Sequence, residues 1–257
     1  MGFWAIVDKE WAEIRQNRLV LGTLVLFPAL LLLAGLSLLC LIRQAGSTLA
    51  DAGDISSSLH GFSPVESLAL MTVQQFLFLF MLLPVSLPLS IASYSIVGEK
   101  QSRSLEPLLA TPVGVMELLL GKSLIAAALP VVLTWLTFAA FILGTRLLVS
   151  ERTFAAVLTP SVLLAIGILT PLAGLLSVLA GIIASSQVSD PRTAQQISGL
   201  LIIPLMGIML AQAAGKLVIN PKSLLFGGAL LAGLNLGLLA LAVRLFQRET
   251  ILTQWRN

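Results

Sequence analysis

The chain has 257 residues, of which 57% are hydrophobic and only 11% charged, against about 25% charged in soluble domains. So few charges cannot cover a water-soluble body of this size, and the excess apolar surface requires lipid as its solvent. The balance is basic, +3, but the Lys and Arg residues are scattered between apolar runs and form no stripe, which argues against a nucleic-acid partner. One cysteine, Cys40, and one histidine, His60, exclude a disulfide framework and any multi-histidine metal centre.

The first sixteen or so residues carry "FWAIVDKEWAEIRQNR", in which Trp4, Val7, Trp11 and Ile14 recur at helical spacing. Asp8, Lys9, Glu13, Arg15 and Gln16 fall largely off that stripe. The pattern predicts an amphipathic helix over 1–18 lying flat on the membrane surface; a solvated helix packed on another subunit is the alternative. No cleavable signal peptide is expected, because the apolar run that follows is longer than a signal core.

A bilayer core of about 30 Å takes roughly 20 apolar residues of helix. Six segments qualify, at about 19–42, 67–97, 118–144, 156–184, 197–214 and 223–245. The expected fold is an all-α membrane protein, a single transmembrane domain over 1–257 with six spans in 19–245 and a tail at 246–257. An even count puts both termini on one side. With both ends cytoplasmic, ten Lys/Arg residues fall inside and five outside, which favours that orientation. Pro84 and Pro88 interrupt the long second segment and predict a bend, either plain packing geometry or a hinge.

Motifs for chemistry are few. "LLLGKS", Leu118–Ser123, imitates a phosphate-binding loop, yet Met116 stands where the first glycine is needed and no strand precedes it. The chain is therefore expected to bind no nucleotide, metal or cofactor of its own. His60 has no catalytic partner at a suggestive spacing. Within the spans the polar residues are neutral: Gln74, Gln75, Thr134, Thr137, Thr170, Ser177 and Asn235. Gln74, Gln75, Thr134, Thr137 and Asn235 are candidates for a substrate path, or else hydrogen-bond one helix to the next.

The loop at 99–117 is unusual. "GEKQSRSLEPLLATP", Gly98–Pro112, concentrates charge in a chain that has little. Ser104 can cap a short helix with Pro107 in its first turn, and Thr111–Pro112 restarts the next helix. Leu105, Leu108 and Leu109 beside Arg103 and Glu106 suit a groove on a partner protein; an ordinary solvated loop is the alternative.

These residues resemble type-2 ABC transporter permeases, in which an E-K/R…T/S-L-E-x-L-L-A-T-P-V pattern stands between the second and third spans. "SSQVSDPRTAQQISGLLIIPL", Ser185–Leu205, is similar to that family's loop between spans four and five, and "RLFQRETILTQW", Arg244–Trp255, to its C-terminal tail. The resemblance implies an exporter permease in the cell membrane that pairs with a second copy or paralogue. Separate ATPase subunits would hold the ATP and Mg. Glu99, Arg103, Leu105, Glu106, Leu108 and Leu109 would then form the coupling element, with Asp190 and Arg192 as a second, smaller contact. One departure from the family is the short segment at about 215–222, where many members place re-entrant helices. Two other readings remain: a non-transporting membrane anchor for an ATPase, and an intramembrane enzyme acting on lipid.

Overall fold

The computed structural model describes residues 3–51, 62–101, 115–188, 190–200, 203–204, 207 and 221–245. Among them there is no strand. The helices are α1 (Phe3–Gln16), α2 (Arg18–Asp51), α3 (Pro64–Gln101), α4 (Val115–Leu148), α5 (Glu151–Val157), α6 (Pro160–Gln187), α7 (Pro191–Gly199) and α8 (Pro221–Leu245). α6 contains a π-helical turn at Ala165–Leu169.

Five of these helices are long and apolar enough to cross a bilayer: Val20–Gly46, Pro64–Ser93, Leu119–Leu148, Pro160–Gln187 and Leu224–Leu245. They match five of the six apolar runs expected from the sequence. Most of the remaining run, 197–214, lies outside the described residues. The expected start of the fourth span at about 156 moves to Pro160, for a local reason. Ser150 and Thr159 each accept a hydrogen bond from the backbone N–H three residues on, at Thr153 and Val162. Two N-caps so close together, the second followed by Pro160, split off α5 as a separate short helix.

α3 is the central helix: 67% of an apolar 18-residue stretch of it is buried, against 17% for α2 and 11% for α8. It packs along α6, α2 and α4. Both prolines lie inside α3, which stays helical through them. Pro88 leaves the Pro84 carbonyl without its usual intrahelical donor, and α6 passes close to it. A Cβ at Gly174 would sit 3.5 Å from Pro84 O and 3.1 Å from Val131 Cγ2, and one at Gly181 would sit 3.0 Å from Ala92 Cβ. Between the two glycines, Ser177 Oγ donates to the Val85 carbonyl. Small residues spaced three and four apart thus let two backbones meet, the usual basis of helix association in lipid. Because Gly174 meets Pro84 and Gly181 meets Ala92, α6 runs parallel to α3.

Gly35 does the same for α2. It faces Phe76 and Phe141, close enough that a Cβ would fall 2.6 Å from the Phe141 ring. Phe141 also stacks at a tilt on Phe80, centroids 5.1 Å apart. The aromatic cluster locks α2, α3 and α4 together.

Candidate coupling face and buried polar contacts

α1 shows why an amphipathic stripe is only half a prediction. Ile6, Val7 and Ile14 are buried, whereas Trp4 and Trp11 are 71% and 45% exposed. The buried line therefore passes through Glu10, which is 3% exposed and faces α4. Lys122 Nζ lies 2.5 Å from Glu10 Oε1. Ser95 of α3 completes the set, donating to Glu10 Oε2 at 3.1 Å and accepting from Lys122 Nζ at 3.0 Å. Both charges are desolvated, so removing one partner alone would strand the other, a loss of about 3–5 kcal/mol. The sequence reading placed Leu118–Ser123 at the start of the third span and found only neutral polar residues within the spans. Here the structure corrects it, with a buried ion pair at the α1 end of the bundle. The signal was present: Glu10 stands three residues after Val7 and four before Ile14, on the apolar face itself. Gly121, Lys122 and Ser123 of the "GKS" stretch are buried within α4.

The segment expected to form the smaller contact begins with Asp190, whose Oδ2 accepts from the Thr193 backbone N–H at 3.1 Å and from Thr193 Oγ1 at 3.2 Å. Asp190 is thus the N-cap of α7, with Pro191 at its first position. Ala194 is fully buried, and Gln195 Nε2 donates to Ser90 Oγ of α3 at 2.7 Å. Arg192, Gln196 and Ile197 remain exposed. Glu99 lies in the last turn of α3. Arg103, Leu105, Glu106, Leu108 and Leu109 lie outside the described residues.

The five substrate-path candidates are not brought together. Gln74 and Gln75 are exposed on α3. Thr134 is fully buried and donates to Pro130 O at 2.8 Å; Thr137 donates to Leu133 O at 2.5 Å. Asn235 Nδ2 donates to Leu172 O and Leu231 O, each at 2.9 Å, and so ties α8 to α6.

The opposite end of the bundle is held differently. Ser63 and Glu66 form a capping box: Ser63 N donates to Glu66 Oε2 at 3.0 Å, and Glu66 N to Ser63 Oγ at 3.2 Å. Ser150 Oγ donates to Glu66 Oε1 at 2.7 Å, which joins the start of α3 to the start of α5. Arg43 Nη1 donates to Leu147 O at 3.0 Å. Arg152 lies over the Phe62 ring, 4.9 Å from its centroid.

Long apolar helices with a surface helix clamped across their ends define a multi-pass helical membrane protein. Its family is shown by comparison: the family model described as "ABC-2 family transporter protein" matches residues 57–225. The chain belongs to that family and is a permease-type transport subunit. No curated protein matches the chain.

Proposed function

We propose that the chain is the permease subunit of an ATP-driven ABC exporter in the cell membrane, working with separate ATPase subunits through the loop between α3 and α4. The observation that carries this reading is the reach of those two helices. The apolar span of α3 ends at Ser93, yet the helix continues to Gln101; α4 begins at Val115, ahead of its span at Leu119. Two rigid, backbone-satisfied levers therefore flank the segment that holds Arg103, Leu105, Glu106, Leu108 and Leu109. A push on that segment is carried into the membrane without lipid-exposed irregular chain. α7, with Arg192 outward, sits against α3 as the second contact.

A sixth crossing belongs to this proposal. α7 is bonded to Ser90 at the α1 end, whereas the start of α8 lines a cavity with Leu164 and Ile168 near the start of α6. Chain that leaves one end and re-enters at the other has to traverse the bilayer, which supports an even number of spans. Both termini then share the side favoured by the Lys/Arg count, the cytoplasm. Gln74 and Gln75 are exposed at span depth, where unmet amides are costly. We assign them to a path between this chain and a second copy or paralogue.

The test is co-purification with the ATPase encoded for it, followed by ATP hydrolysis in reconstituted vesicles. Glu106→Arg and Leu109→Pro are each expected to abolish the complex, while the permease itself still inserts. Retention of the complex and of full hydrolysis by both variants would overturn the assignment.

A further inference from the structure

One short stretch of α3 is bonded to three other helices. Ser90 accepts from Gln195 of α7, and Ser95 takes part in the ion pair between Glu10 of α1 and Lys122 of α4. Beyond that stretch α3 runs on to Gln101. On the other side of the loop, α4 reaches Lys122 seven residues after Val115, about 10 Å of helix. The Glu10–Lys122–Ser95 set therefore joins α1 to both helices that flank the 102–114 segment, close to where they leave the span.

Adhesion alone does not call for these groups. Ile6, Val7 and Ile14 already supply apolar contact, and a buried ion pair is often no more stable than an apolar pair of the same volume. A carboxylate shared between an ammonium and a hydroxyl adds direction. It fixes the rotation and register of α1 against α3 and α4, as a single buried polar residue fixes register in packed helices. Apolar faces alone tolerate sliding.

We propose that Glu10, Lys122 and Ser95 form a positioning latch, so that the N-terminal helix moves as one body with the loop-side ends of α3 and α4. α1 then transmits motion instead of merely resting on the membrane. The source of that motion rests on the reading of the 102–114 segment given above; the latch itself does not.

The experiment uses the full-length permease in lipid nanodiscs, with Cys40→Ser and spin labels at Ala12→Cys on α1 and Leu143→Cys near the far end of α4, diluted with unlabelled protein. A single narrow distance is expected for the otherwise native chain. Glu10→Met/Lys122→Met is expected to melt at the native temperature but lose the narrow peak, while the exchanged pair Glu10→Lys/Lys122→Glu regains it. In the complex with its ATPase, the double apolar variant is expected to hydrolyse ATP about threefold more slowly, with recovery in the exchanged pair. A narrow peak in the double apolar variant would overturn the latch; unchanged hydrolysis in its complex would overturn the transmission of motion through α1. Failure of the native chain to bind the ATPase would sink the loop reading and leave the distance result to decide the latch.

Discussion

The two ends of the bundle are fastened by opposite means. At the α1 end, a carboxylate and an ammonium are both withdrawn from solvent, with side-chain exposures of 4% and 5%. At the other end the polar contacts are caps, Ser63 with Glu66 and Ser150 with Thr153, together with solvent-exposed hydrogen bonds from Ser150 to Glu66 and from Arg43 to Leu147. A cap satisfies backbone groups that water could also satisfy, so its loss is mild. A buried ion pair has no such substitute. One end is thus built to keep a fixed register, while the other is built to stop and restart helices economically.

The largest expected effect breaks the first fastening. Lys122→Met strands Glu10 in an apolar seam and should destabilise the protein by about 3–5 kcal/mol, read as a lower melting temperature in detergent or nanodiscs. Gly174→Leu comes next, because the added side chain meets Val131 and the Pro84 carbonyl. Overpacking of that kind costs about 1–3 kcal/mol and loosens α6 from α3, measurable by the same melting curve. Glu66→Ala removes the far-end capping box and the Ser150 bond, with an expected loss of about 1 kcal/mol. A Glu66 variant as damaging as Lys122→Met would erase the contrast between the ends.

Much of the fold was legible because lipid imposes a simple rule. Every crossing must be a long apolar helix, so hydropathy located all five described spans. The split between α5 and α6 was legible too, in Ser150-x-x-Thr153 and Thr159–Pro160, the same Thr–Pro restart visible at Thr111–Pro112, but the apolar run masked it. The α1 stripe was placed on the correct helix and divided by packing: Val7 and Ile14 turned inward, Trp4 and Trp11 outward. Asp190 was read as a partner contact, and the structure gives its carboxylate a capping role at α7.

Composition and hydropathy alone determined that this chain lives in lipid as a bundle of helices, because solvent preference is a sum over residues and needs no knowledge of neighbours. The motif at Gly98–Pro112 pointed to the family for a similar reason, being local in the chain. Only the tertiary structure decided that Glu10 meets Lys122, 112 residues away, and that Gly174 lies against Pro84. Such pairings depend on how helices rotate and cross, and a one-dimensional pattern names the face of a helix without naming what will lie against it.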